Sequence, residues 1–309
     1  MSPKTDINLS DIRSIVKIAG VNGFNDEFQA LGGGEVNDTY KISINDGYAI
    51  LRIAKDQEQR TLENEARALK LLDSPYIPQL IYFNEHNSIK NRLWILESCI
   101  GGTIKPRLTE PQFNKLGQLL AQVHSVKSSE RGVNLWRQFL DNCKSFGDEE
   151  LLLNHPHEKL KILIRKEYEL CKDLQISYNL ITPSLIHLDA TPSNILVDGD
   201  KVGLIDWEFS KFNDSMSDFS TVYYEDVEYN LGKWRIKITS AEKDALFSGY
   251  ETAGGSISED RIRFWIQFDK LGAAVFLYWR LNHSKRNTSQ IATEQYQFDF
   301  ENLLASLSN

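Results

Sequence analysis

Little in this chain of 309 residues would staple or anchor it. Its only cysteines are Cys99, Cys143 and Cys171, an odd number set far apart. That excludes a disulfide framework and offers no metal-ligand spacing, so they read as buried thiols of a reducing compartment. The apolar run from Leu271 to Trp279 is far too short to span a bilayer. The opening Met-Ser-Pro-Lys-Thr-Asp has none of the apolar core of a secretory leader. No internal repeat or low-complexity tract interrupts the chain. Basic residues are the minority, 35 Lys and Arg against 43 Asp and Glu for a formal charge of −8, which argues against a nucleic-acid partner. It leaves room for a cationic ligand. With 41% hydrophobic residues the chain can bury a sizeable core, and its length suggests two domains or lobes.

What is present centres on residues 185–210. Two short apolar runs, Ile195 to Val197 and Val202 to Ile205, flank Asp198-Gly199-Asp200, and an Asp-Gly turn between such runs predicts a β-hairpin. Before it stand His187, Asp189 and Asn194, and after it Asp206 and Glu208. A hairpin returns the second group toward the first, so oxygen-bearing side chains converge at one end. A base, then an Asn five residues on, then an Asp past a hairpin is the order of a phosphoryl-transfer loop. In that chemistry Asp189 accepts or orients the proton of an attacking hydroxyl. Asn194 and Asp206 are hard oxygen ligands for Mg²⁺. His187 braces the loop.

His-x-Asp-x-x-Pro-x-Asn-Ile-Leu-Val followed by Ile-Asp-Trp-Glu resembles the aminoglycoside phosphotransferase and choline kinase family of small-molecule kinases. No Arg follows His187, and Asp-Trp-Glu stands where a protein kinase has Asp-Phe-Gly. No Ala-Pro-Glu-like segment follows Asp206, which disfavours a protein kinase. The resemblance runs from about Leu31 to Asp218. It implies an α+β, bilobal, protein-kinase-like fold, with a small antiparallel-sheet N-lobe over 1–97 and a mostly helical C-lobe over 98–309.

Along the chain, Ser10 and Gly20 bracket a helix with Ile12, Ile15, Val16 and Ala19 on one face. Strand-like sequence flanks Gly32-Gly33-Gly34. Glycines at such a turn let backbone N–H groups approach phosphates. The resemblance makes this the loop over the nucleotide phosphates, with Gly33, Gly34 and Asn37 facing them. Tyr48 to Ile53 reads as a strand, with Tyr48, Ile50, Arg52 and Ala54 on one face and Lys55 on the other. The resemblance makes Arg52 the phosphate-pairing cation, with Lys55 as the alternative. Glu65, on a helix from Gln57 to Leu72, becomes its carboxylate partner. Strands follow at Gln79 to Phe83 and Arg92 to Glu97. By the same resemblance, adenine is held by the carbonyl of Glu97 and the N–H of Cys99.

Thr109 and Gln112 make a capping box for a helix to Lys127, whose His124 is read as structural. Asp141 to Lys172 reads as helical. Asp218 matches the family's carboxylate supporting the catalytic loop. Glu225 and Asp226, among tyrosines, are candidates for an amine-bearing substrate, as is Asp269 on a long helix from Ser258 to Asn282. Ser240 caps another helix, which Gly254-Gly255 stops, and the last spans about Ser289 to Leu307.

The implied activity is Mg²⁺-dependent transfer of the γ-phosphate of ATP or GTP to a small-molecule hydroxyl in the cytoplasm. An aminoglycoside-type antibiotic is the first substrate class. Choline, ethanolamine, thiamine, homoserine or a methylthio sugar is the alternative, and a non-catalytic nucleotide-binding protein is a third reading. No membrane partner is expected, and the sequence is compatible with monomer or dimer.

Overall fold

A computed structural model of the protein describes residues 7–33, 37–45, 47–55, 61–144, 146–222, 238–283 and 290–307. The chain forms two compact units. One comprises Met1–Thr103 with Leu196–Lys211, the other Ile104–Ile195 with Phe212–Asn309. The hairpin therefore packs with the N-terminal unit, and a single cut after Glu97 does not describe the division. Among the described residues no helix is long and apolar enough to cross a membrane.

The first unit opens with α1 (Leu9–Ile18). Its cap is Asn8 rather than Ser10. The Asn8 side chain accepts from the N–H groups of Ser10 and Asp11, and Asp11 accepts from the Asn8 N–H at 3.0 Å, a closed capping box. Then come β1 (Phe24–Gly33), β2 (Asn37–Ile44), β3 (Gly47–Ala54), α2 (Thr61–Leu71), β4 (Leu80–Ile89) and β5 (Arg92–Ser98). The five strands form an antiparallel sheet in the order β1-β2-β3-β5-β4. Alternation sorts its residues by face. Tyr40, Ile42, Leu51, Ile53, Trp94 and Leu96 bury themselves with Ile12, Ile15 and Val16 of α1 in one apolar core. The other face carries Ile50, Arg52, Ile95 and Glu97, because Ile50 lies opposite Glu97 and Arg52 opposite Ile95. The helix α2 packs on β3, β4 and β5 and buries Glu65 beside Leu62, Ala66 and Leu69.

A short β6 (Thr103–Ile104) precedes the helices of the second unit. These are α3 (Glu110–His124), α4 (Leu135–Asn142), α5 (Glu149–Leu153) and α6 (Glu158–Tyr178). The Gln112 side chain reaches back to the Thr109 N–H at 2.9 Å, as the capping box requires. The continuous helix expected over 141–172 is instead three, for two reasons. Gly147 takes a φ of +145° that ordinary residues avoid, and Pro156 has no N–H to continue a helix. After β7 (Ser184–Ile186) comes the hairpin of β8 (Ile195–Asp198) and β9 (Lys201–Leu204), with Gly199 at φ +60° in its turn. There follow β10 (Lys211–Asn213), which pairs with β7, then α7 (Phe219–Val222), α8 (Ser240–Thr252), α9 (Glu259–His283) and α10 (Gln290–Ser306). Thr239, not Ser240, caps α8. The helices α3 and α8 touch backbone to backbone. A methyl group on Gly117 would collide with the Leu246 carbonyl, and one on Gly249 with that of Asn114.

Candidate active site

In the second unit, the segment between β7 and β8 is held from beneath by one carboxylate. Asp218 is wholly buried. It accepts from the N–H of His187 at 2.8 Å and of Leu188 at 2.6 Å. The His124 ring lies 2.9 Å from Asp218 through Nε2 and 2.9 Å from the Tyr250 hydroxyl through Nδ1. A neutral imidazole that donates to the carboxylate and accepts from the hydroxyl satisfies both contacts. Burial works to raise the Asp218 pKa, but the bonds from His124 and His187 overcome it and hold the carboxyl below its ordinary range.

These two backbone bonds hold Leu188 at φ +63°, a left-handed conformation unfavourable for a branched side chain. The next residue is Asp189. Its N–H donates to Nδ1 of the buried His187 at 3.2 Å, so that His187 nitrogen faces the loop's own backbone. The Asn194 amide donates to the Asp189 carbonyl at 2.9 Å and to the Asp189 carboxylate at 2.7 Å. His187, Asp189 and Asn194 are thus one bonded loop, and the Asn194 carbonyl oxygen remains as an acceptor.

The first unit gathers a different set. The Arg52 guanidinium meets Glu65 at 2.6 Å, Asp206 at 2.7 Å and Glu208 at 3.4 Å. Burial opposes the charge on Arg52, but these carboxylates together with Glu97 hold it protonated. Burial raises the pKa of Glu65, and only the Arg52 cation and the N–H of Trp207 at 3.2 Å work against that. Asn37 donates to Glu208 at 2.6 Å. Gly33 ends β1 opposite Asp38, and Gly34 lies outside the described residues. Lys55 is on the other face, 3.9 Å from Asp38. Asp206 also adopts a left-handed φ, +69°.

Among the buried polar atoms of this unit that have no hydrogen-bond partner in the described residues, four lie on these residues and on Glu97 of the same sheet face: Oδ1 of Asn37, Nε of Arg52, Oε2 of Glu65 and Oε2 of Glu97. Unsatisfied buried groups are rare in native structures and point to a missing ligand or water. One expectation changes here. The N–H of Cys99 is taken by the Tyr48 carbonyl at 3.3 Å, so it is not free to meet a base. Antiparallel pairs alternate, which turns the backbone of Glu97 toward Ile50.

Glu208 carried no role in the sequence reading. Its only signal was its place two residues after Asp206, and its partner Asn37 is far away in the chain. Glu225 and Asp226 lie outside the described residues. Asp269 is half-buried on α9, directly before the fully buried Lys270.

Each unit, taken by itself, holds an oxygen donor of the kind Mg²⁺ takes. Asn194 retains a carbonyl oxygen, and Asp206 is a partly exposed carboxylate with one oxygen on Arg52. Among the described residues no three His, Cys, Asp or Glu converge on one point.

A sequence model described as the phosphotransferase enzyme family matches residues 27–265. No curated protein matches the chain. Among solved structures, a spectinomycin phosphotransferase in complex with ADP and spectinomycin aligns at TM-score 0.66 and 15% identity, over 98% of each chain. Choline kinase LicA from Streptococcus pneumoniae aligns at 0.64 and 18%, over 96% of this chain and 99% of its own. Amicoumacin kinase hAmiN, in complex with AMP-PNP, Ca²⁺ and Ami, aligns at 0.66 and 12%, over 96% and 93%. At these identities the likeness is one of fold: kinase-like, with an antiparallel-sheet N-terminal region and a helical remainder.

Proposed function

The chain belongs to the phosphotransferase enzyme family, and on that premise we propose that it transfers the γ-phosphate of ATP, or of GTP, to a hydroxyl of a small cationic molecule. The observation that carries this reading is the bonded loop of His187, Asp189 and Asn194 on Asp218. It fixes one carboxylate and leaves an amide oxygen beside it, which suits a group that orients a hydroxyl next to a metal ligand.

Asp189 accepts the proton of the acceptor hydroxyl or holds that hydroxyl in line. Arg52, steadied by Glu65, pairs with the nucleotide phosphates. Asn37 opens β2, and its amide NH₂, which donates to Glu208, is the donor it can offer a phosphate. Asn194 and Asp206 supply oxygen ligands for Mg²⁺. When bound, the ion neutralises charge on the transferring phosphoryl group.

An aminoglycoside-type antibiotic is the first substrate class. The excess of acidic residues and the fold shared with a spectinomycin phosphotransferase support it. The fold shared with a choline kinase favours, as second reading, a metabolite kinase for choline or a similar alcohol. The deciding experiment is ADP release across a panel of amines, amino sugars and alcohols. For the metal, Asp206→Ala should weaken Mg²⁺-dependent nucleotide binding while circular dichroism stays unchanged. Equal Mg²⁺-nucleotide affinity in the two proteins would remove Asp206 from the metal.

A further inference from the structure

We propose that the Glu97 carboxyl is a nucleobase-binding group, one that takes a base edge presenting a donor beside an acceptor, as adenine does with its amino group and ring nitrogen. This rests on the nucleotide reading above and adds a residue to it.

The sheet places Glu97 on the nucleotide-handling face. Its cross-strand neighbour is Ile50, two residues along β3 from Arg52. Trp94 and Leu96 turn to the opposite face and fill the core with α1, so the Glu97 side chain turns toward the Arg52 side. The direction of the ligand follows from the register. Asn37 lies opposite Ala54, which puts the glycine turn at the Ala54 end of β3. Phosphates held by Arg52 at the Asn37 and Ala54 end of the sheet leave the ribose and base to run the other way, over Ile50 toward Tyr48. Glu97 is the carboxyl on that path.

Its bonding state makes it available. The side chain is 3% exposed, and its Oε2 has no hydrogen-bond partner among the described residues. The Nη atoms of Arg52 are engaged by Glu65, Asp206 and Glu208. An ionised carboxylate so buried, with one oxygen lacking a donor, is disfavoured, and the Arg52 cation only partly offsets this. Burial, reinforced by Glu65 and Asp206, accordingly raises the Glu97 pKa well above the usual carboxylate range. A neutral carboxyl has one O–H to donate and one carbonyl to accept, which matches the two adjacent groups of adenine. The backbone gives no substitute at this point, because the N–H of Cys99 goes to Tyr48.

The test separates base from phosphate. Binding of Mg²⁺-ATP and of Mg²⁺-tripolyphosphate is measured by calorimetry for the wild type, Glu97→Gln and Glu97→Leu. Glu97→Leu should weaken ATP binding at least tenfold and leave tripolyphosphate within about twofold. Glu97→Gln keeps a donor and an acceptor and should hold ATP within about threefold. The retained tripolyphosphate affinity reports that the leucine variant is folded. Unchanged ATP binding by Glu97→Leu overturns the proposal. So does an equal loss for both ligands, which would assign Glu97 to the charge cluster around Arg52. A wild type that binds neither ligand overturns the nucleotide reading itself, and this inference with it.

Discussion

The two candidate halves are finished to different degrees. Around Asp189, no buried side-chain atom of residues 187–194 lacks a partner, and even the strained Leu188 is pinned by Asp218. Around Arg52, one cation faces Glu65, Asp206 and Glu208, with Glu97 on the same sheet face, and buried polar atoms of Asn37, Arg52, Glu65 and Glu97 have no hydrogen-bond partner among the described residues. Groups that act in the transition state work best when their positions are already fixed. Groups that bind a charged ligand can be left unsatisfied until it arrives, at a cost in stability. The contrast is between a preset loop and a ligand-dependent cluster.

The sharpest way to break this contrast is Asp189→Asn. It should lower kcat by about 10²–10⁴-fold, the usual worth of general-base catalysis, with little change in KM. Steady-state kinetics on a folded variant at near wild-type kcat would remove Asp189 from the chemistry.

Next is Arg52→Ala. Removing one partner of a buried charge set leaves the others uncompensated, so the unliganded protein should lose about 3 kcal/mol in denaturant unfolding. Nucleotide affinity should fall at least tenfold. Lys55→Ala, on the other face, should do neither. The reverse pattern would move the phosphate contact to Lys55.

Asp218→Asn tests the preset half. It should cost about 1–3 kcal/mol through the acceptor withdrawn from the loop N–H groups, and reduce kcat about tenfold. The folded pKa of Asp218 lies below its ordinary 3.8. Its contribution is therefore complete above pH 3.8 and disappears as pH falls through the lower folded value. Acid unfolding curves of the variant should be shallower there than those of the wild type.

The smallest effect is a reference for burial alone. Glu167 on α6 lines a cavity of about 160 Å³ with Leu163, Leu170, Leu271 and Leu307. Burial pushes its carboxyl up to about 7 from 4.5. The folded state holds the proton longer than the unfolded one, so stability falls as pH rises from 4.5 to 7. Glu167→Gln should flatten that slope and be more stable at pH 8 by about 2 kcal/mol. A variant whose Tm follows the wild-type pH curve would show Glu167 to be ionised in the fold.

Much of the fold was legible because one motif orders so many parts. The hairpin about Gly199 and the strand alternation around Arg52 follow from local pattern, while the pairing of Arg52 with Glu65 was implied by the family resemblance alone. Helix limits were less legible. Asn8 and Ser10 are both good caps, and only the reciprocal bond from Asp11 separates them. Gly147 and Pro156 were readable breaks in a charged stretch whose helical period drew attention away from them. The bond between Asn37 and Glu208 was not legible at all, since no short-range rule links residues so far apart in the chain. Nor was the occupied N–H of Cys99, which depends on where β3 ends against β5. Sheet register is a tertiary property.

The bare contact between α3 and α8 has a mechanical meaning. Gly117 and Gly249 let the two helices meet without side chains between them, and each helix carries one ring of the relay to the loop, His124 on α3 and Tyr250 on α8. The helix crossing works as a fulcrum. A single added methyl there would push the helices apart, draw the imidazole and phenol off one another, and slacken the carboxylate that cradles His187 and Leu188. Geometry at Asp189 is thus set in part by two residues that have no side chain and touch no reactant. A search for activity-altering changes that looked only at polar groups would pass them over.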